Sequence, residues 1–292
     1  MADRDERREQ AAKHNALMKG AFASETAACA AAATIYEEGA GRVLELGEAP
    51  FAATETRVTT SFAPEALYRQ GAGKTAVVDP AAFTRPGGAY EDGAFGPEQI
   101  LCAASNLYQV LCEVKGLYHD KNRDYRRGGL FTDRAAYLPD VVFSRDGSIR
   151  KADVIVIPEP LRARALENHR SERECDRALA DRVETIMRIA AANGCETLIV
   201  GAFGCGRLGY PAEQVTSLFS AWIEAHPGAV ARVVFAVPRA SFDAFDAAFG
   251  RSAQKEAEAA AAAAAAQAST EDEDGEEFDW RSVELPEGVT IR

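Results

Sequence analysis

From about residue 41 onward, the chain alternates short apolar runs with longer helical patterns. Aliphatic and β-branched runs recur at 43–46, 75–78, 141–143, 154–157, 197–200 and 233–237. Several are continuous rather than alternating, as in strands buried on both faces of a sheet. Between them the sequence predicts helices over 98–115, 172–192, 211–225 and 242–249. Strands alternating with helices predict an α/β fold of three layers, with a mixed or largely parallel central sheet flanked by helices. In such sheets ligands sit beyond the carboxyl ends of the strands, where loops lead into helices. Ahead of this pattern, residues 1–40 are rich in Ala, Glu and Arg and predict two N-terminal helices. The second runs from Ser24-Glu25-Thr26 through Tyr36 and is closed by Gly39. Ala27, Ala31 and Ile35 recur there at helical spacing, which predicts that this helix packs on the domain.

Composition divides the chain further. Its 292 residues carry a net charge of −12, but residues 269–292 alone hold nine acidic and two basic residues. Residues 1–252 are left at about −4, with no basic field of the kind that general nucleic-acid binding needs. The expected organisation is N-terminal helices over 1–40, one α/β domain over 41–252, an Ala-rich and acidic linker over 253–277, and a tail over 278–292. The linker has no apolar face and reads as disordered. The tail regains Phe278 and Trp280; a disordered end is expected, with docking of these aromatics as the alternative. No apolar run approaches the roughly 18 residues of a membrane span, and the start MADRDERREQ is charged where a signal peptide is apolar, so the expected location is the cytoplasm. Six cysteines form no CxxC pair and four histidines no HxxxH spacing. Buried free thiols are expected, with no metal site and no cofactor.

Two loops occupy the places where chemistry is expected. The first follows the run 75–78 and contains Pro86-Gly87-Gly88-Ala89, then Asp92, Phe95 and Pro97-Glu98-Gln99 at the start of a helix. Paired glycines let a ligand approach the main chain, and Pro97 with Glu98 suits a helix start. The second is Gly201-Ala202-Phe203-Gly204-Cys205-Gly206-Arg207-Leu208-Gly209, between the run 197–200 and a helix near Pro211. Four glycines there make a backbone nest suited to a diphosphate. Arg207 either adds charge to a phosphate or is simply solvated. Cys205 has no histidine near it in sequence and reads as part of the loop rather than as a nucleophile. The stretch Gly71-Ala72-Gly73-Lys74-Thr75 is a false P-loop: Tyr68 stands where the first glycine belongs, and a strand follows where a helix is required.

Taken in order, Pro86-Gly87-Gly88-Ala89, Pro97-Glu98-Gln99, Tyr137-Leu138-Pro139-Asp140-Val141, Gly201-Ala202-Phe203-Gly204-Cys205-Gly206 and Val233-Val234-Phe235-Ala236-Val237 resemble the microbial type of poly(ADP-ribose) glycohydrolase, a family of macrodomain-like fold. The resemblance spans roughly residues 20–250. It implies ADP-ribose, free or on a modified protein, as the ligand, with no nucleic acid or membrane partner. It places the first loop around the distal ribose and phosphates and the second around the diphosphate. The binding residues implied are Asp79, Pro86, Gly87, Gly88, Ala89, Gly201, Ala202, Phe203, Gly204, Cys205, Gly206, Arg207 and Leu208. Asp133, Arg134 and Tyr137 lie in a stretch of fair match without an assigned role.

The family signature is three glycines followed by Gln-Glu-Glu, whose second Glu acts on the ribosyl bond. Here Ala89 replaces the third glycine, and Gln99 stands at the catalytic Glu position. A carboxamide does not exchange a proton in the useful range, so hydrolysis is expected to be weakened. Glu98 points about 100° away from Gln99 on a helix and does not simply take its place. Leu208 replaces an aromatic that packs on the ribose. The expectation is ADP-ribose binding with reduced hydrolysis, in effect a possible pseudoenzyme. Two alternatives remain: an active hydrolase using Glu98 or Asp92, and a non-enzymatic interaction protein that works through its acidic tail and Trp280.

Overall fold

The computed structural model describes residues 2–237 and 239–250, which fall in one compact unit. The linker and tail expected over 253–292 lie outside the described residues. Seven strands are formed: β1 (Thr34–Tyr36), β2 (Glu55–Thr59), β3 (Thr75–Pro80), β4 (Ala135–Arg145), β5 (Ser148–Ile157), β6 (Thr197–Gly201) and β7 (Arg232–Ala236). They make one mixed sheet in the order β1-β4-β5-β3-β6-β7-β2. β1 and β4 run antiparallel to their neighbours; the five strands from β5 to β2 are mutually parallel. This is the expected three-layer α/β fold.

The continuous apolar runs are buried on both faces, as their pattern required. Ala76, Val78, Ile155, Ile157, Leu198, Val200, Val233 and Phe235 point into one core. Helices α7 (Glu172–Ala192), α8 (Ala212–Ala225) and α9 (Arg239–Phe249) cover that core. Val77, Val154, Val156, Ile199 and Val234 point into the other. It is covered by α1 (Arg4–Ala21), α2 (Ala23–Ala31), α3 (Ala63–Gln70), α4 (Pro97–Ala103) and α5 (Leu107–Glu113). A short α6 (Arg162–Glu167) precedes α7. At about 25 cal/mol per Å² of apolar surface, these two cores are the main source of stability.

Several elements differ from the sequence pattern. The run 43–46 is not a strand: Gly41–Val43 is a 3-10 turn pressed against α7, where a side chain at Gly41 would come within 2.7 Å of Thr185. The helix expected through Tyr36 ends at Ala31, and the β-branched Thr34 and Ile35 instead pair with β4. Its buried face is also displaced: Thr26 and Cys29 are buried, while Ala27 and Ala31 are exposed. The helix expected over 98–115 is broken at Ser105 and Asn106. Ser105 Oγ donates to Leu101 O and accepts from Leu107 N, and Asn106 exchanges bonds with Val142 N and O, so polar side chains compete with the helical ladder. Strand β2 escaped notice because it is an edge strand with only Thr56 buried.

The N-terminal helix α1 lies against the first glycine loop. Arg4 Nε donates to Asp92 O at 3.0 Å and Arg7 Nε to Gly93 O at 2.8 Å, and the Arg7 guanidinium lies 5.8 Å from the centre of the Phe95 ring. Gly93 has φ +74°, and a Cβ there would meet Arg4 O at 2.1 Å. Gly93→Ala is therefore expected to cost about 2 kcal/mol from the left-handed backbone and the lost approach of α1. Hydrogen exchange checks this: amides of α1 should exchange faster in the variant while those of α7 hold. Unchanged protection of α1 would contradict this packing.

Candidate functional site

All five parallel strands end on one side of the sheet, and their ends ring a cleft of about 300 Å³. Thr60 and Ser61 follow β2, Val78 and Pro80 belong to β3, Glu159 follows β5, Gly201 ends β6 and residues 202, 203 and 205–208 follow it, and Ala236 with Val237 close β7. The exposed aromatics Phe62 and Phe95 stand at its rim, with Gly96, Pro97 and Ile100 from the start of α4. This is the place where an open parallel sheet binds its ligands.

The second glycine loop is held by its own backbone. Phe203 N donates to Gly201 O at 2.8 Å, Cys205 N to Ala202 O at 3.1 Å, and Tyr210 N to Gly204 O at 3.2 Å. Phe203 is buried in the α7 core, and Tyr210 Oη donates to Cys175 O at 2.8 Å. Gly204 has φ +77° and a Cβ there would press on Leu179 and Tyr210 at 3.1–3.2 Å, so both its conformation and its surroundings call for glycine. Arg207 is exposed at the cleft, and Leu208 lines it. Burial pushes the Cys205 thiol up to about 11, which leaves it protonated and a poor nucleophile.

The first loop packs around Glu98 and Gln99. Pro86 and Gly87 are buried, Gly88 and Ala89 half-buried, and none of the four lines the cleft. Gly88 has φ +59°, and a Cβ would lie 2.6 Å from Gln99 Nε2 and 3.0 Å from Glu98 Oε2. Gln99 is half-buried and its Nε2 donates to Gly87 O at 3.0 Å. Glu98 is buried, its Oε2 accepts from Ala82 N at 2.9 Å, and the same oxygen lies 3.5 Å from Gln99 Nε2. Asp92, one alternative carboxylate, is turned to Arg85 at 2.8 Å in an exposed ion pair.

Three carboxyl groups converge near these strand ends. Asp79 is fully buried on β3, and among the described residues neither of its oxygens has a hydrogen-bond partner. Burial, reinforced by Glu159, raises its pKa far above the usual carboxylate range. Glu98 is raised in the same sense by burial and then by Asp79, against the backbone N–H bonds it receives. Glu159 is half-buried; burial pushes it up to about 7, while the Gly204 N–H and Arg207 act in the opposite direction. Burial of this kind favours the protonated form of a carboxyl and suits it to donate protons. Among the described residues no cluster of His, Cys, Asp and Glu is arranged to hold a metal ion.

Glu159 and Phe62 were missed in the sequence, and Phe95 stood there only as a member of the first loop. The one signal for Glu159 was a lone acidic residue between Pro158 and Pro160, directly after the buried run 154–157. Asp133, Arg134 and Tyr137 have structural partners. Asp133 holds Arg42 and the Gly39 N–H, and Tyr137 donates to Asp153. Arg134 is buried on Glu37, Asn122 and the carbonyls of Leu117 and Tyr118. Lys74, in the false P-loop, donates to Asn193 O ahead of β3.

The fold is the macrodomain-like α/β fold of poly(ADP-ribose) glycohydrolases. Residues 8–146, which include the first loop, match the family model described as microbial-type PARG, catalytic domain. The poly(ADP-ribose) glycohydrolase of Thermomonospora curvata is similar over 85% of this chain and 99% of its own, at 27% identity and a TM-score of 0.75. The same enzyme bound to the inhibitor ADP-HPD matches at 26% identity and a TM-score of 0.71, over the same shares of the two chains. The Deinococcus radiodurans enzyme in complex with ADP-ribose matches at 25% identity and a TM-score of 0.65, over 76% of this chain and 95% of its own. No curated protein matches the sequence. Among the described residues, no helix is long and apolar enough to cross a membrane.

A carboxyl whose pKa is raised by folding costs stability once pH exceeds its unfolded value, and the full cost is present above the folded one. Asp79→Asn removes that cost. The variant should melt like the parent near pH 4 and higher at pH 8, by at least about 1 kcal/mol, or about 2–4 °C, since one pKa unit corresponds to 1.36 kcal/mol. Thermal melts at the two pH values decide it; a variant that melts lower at pH 8 would show that Asp79 carries a needed charge.

Proposed function

We propose that this protein binds ADP-ribose in the cleft at the strand ends and hydrolyses ADP-ribosyl linkages only weakly. The observation that carries this reading is Gln99. Its carboxamide sits beside the buried Glu98 carboxyl, tied to Gly87 O, at the position where the family signature has its catalytic Glu. Breaking a ribosyl bond needs a proton delivered to the departing oxygen and water activated at the anomeric carbon. An amide donates hydrogen bonds but exchanges no proton in this range, so it can position a ribose without cleaving it.

Binding is supported by the lining of the cleft at the strand ends. The glycine loop 201–208 brings its backbone to the cleft at Gly206 with Arg207 beside it, and Phe62 and Phe95 offer exposed rings at the rim. An aromatic base, a diphosphate and two riboses match apolar rim, backbone nest and buried carboxyls in turn. Solved relatives bound to ADP-ribose and to ADP-HPD support the same ligand class.

A second reading, retained hydrolysis, has one observation in its favour: burial raises the pKa of Glu98 well above the usual carboxylate range, which favours its protonated form, and Glu98 lies next to Gln99. Its bond to Ala82 N and its burial argue for a positioning role instead. An interaction role for the acidic tail concerns residues outside those described.

The test pairs calorimetric titration with ADP-ribose and an assay for ADP-ribose release from a poly(ADP-ribosyl)ated protein. Micromolar binding, about −8 kcal/mol, with little release is expected of the parent. Gln99→Glu should raise release by about 10²–10⁴-fold, the usual worth of a general acid or base. Ready release by the parent, unchanged in Gln99→Glu and abolished in Glu98→Gln, would establish the second reading instead.

A further inference from the structure

Glu159 sits where the second glycine loop would take an anion. Its Oε1 accepts from Gly204 N at 2.7 Å, and its side chain lines the cleft together with Gly206 and Arg207. The turn that carries it is fixed from behind by Arg182, a buried arginine on α7 that donates to Pro158 O at 3.2 Å and Leu130 O at 2.7 Å. Glu159 is therefore held against the loop by a rigid support rather than resting there as a loose surface side chain. One N–H of the loop, that of Gly204, is already taken by a carboxyl group of the protein itself.

Resting on the reading of this cleft as an ADP-ribose site, we propose that Glu159 is its specificity-determining residue: a built-in anion that a diphosphate meets at Gly204, so that the ligand binds with uptake of one proton by Glu159. As a carboxylate, Glu159 repels the diphosphate and competes with it for the loop N–H groups. As a neutral carboxyl, it turns its O–H to a phosphate oxygen and becomes a donor. The proton comes from solvent, and no covalent bond changes. Ligands without charge at this position bind without that requirement.

The groups facing Glu159 agree with this direction. Asp79 on β3 is the acidic neighbour: Glu159 adds to the burial that raises its pKa, and Asp79 in turn raises that of Glu98 on α4. Cys205 is protonated, and Arg207 on the loop is the cation that favours the ionised form. Burial leaves Glu159 titrating at about 7, so the two states exchange in the physiological range. The diphosphate of ADP-ribose is fully ionised throughout that range, so the pH dependence reports the protein.

The experiment is calorimetric titration of the full chain with ADP-ribose at pH 6 and pH 8, in two buffers of different ionisation heat, for the parent and Glu159→Gln. If Glu159 titrates near 7 when free and is protonated when bound, the parent should bind about tenfold more weakly at pH 8 than at pH 6. It should also take up close to one proton per ligand at pH 8, a readout that needs no variant. Glu159→Gln, whose amide is a permanent donor, should bind equally at both pH values and about tenfold more tightly than the parent at pH 8. Parent binding that is flat with pH and takes up no proton overturns the role of Glu159 while leaving the ADP-ribose site standing. Absence of binding by both proteins at both pH values overturns the site and this inference together.

Discussion

Five parallel strands that end on one side of a sheet must have something to fill the space where they stop, and here that space holds carboxyl groups with few charge partners. Asp79 has no hydrogen-bond partner among the described residues, Glu98 has the Ala82 N–H, and Glu159 has the Gly204 N–H with Arg207 nearby. Burying three such groups is unfavourable as anions and tolerable as neutral acids. The fold accepts this because the two apolar cores on either face of the sheet supply the stability, and a destabilised polar centre at the strand ends is where a ligand's hydroxyls and phosphates find partners.

The same constraint governs the chemistry. A hydrolase needs one carboxyl that gains and loses its proton at the ribose. The position that the resemblance assigns to that carboxyl holds the amide of Gln99, while the carboxyls with raised pKa are Asp79, Glu98, which is held by Ala82 N–H, and Glu159, which is held by Gly204 N–H. On the proposed reading, acid chemistry lies away from the bond to be broken and beside the loop proposed for the diphosphate, where it would govern binding rather than cleavage. Helix α1 reinforces this division by bracing the first loop through Asp92 and Gly93, which holds that loop to one shape.

The central strands were legible because they are buried on both faces: the runs 75–78, 154–157, 197–200 and 233–237 each became a parallel strand. Helix 172–192 was legible from its periodicity, and its start is fixed by a capping box in which Ser171 and Glu174 exchange bonds. Elements decided by contacts distant in sequence were not legible. Asn106 breaks a helix because it pairs with Val142, and β2 exists because Arg232 through Ala236 lie beside it. Both glycine loops were legible from composition as loops that follow β3 and β6, and the second lines the cleft, whereas Pro86 to Ala89 of the first do not. Glu159 was not, since nothing local in sequence shows that the residue after β5 reaches a loop following β6.

The most direct test of the account is a crystal structure of the full chain with ADP-ribose. The account requires the ligand to be intact, its diphosphate on the backbone of residues 204–206, its distal ribose beside Gln99 and Glu98, and Glu159 within hydrogen-bond distance of a phosphate oxygen. Ligand seated away from the strand ends, or a cleaved ligand at Gln99, would contradict it.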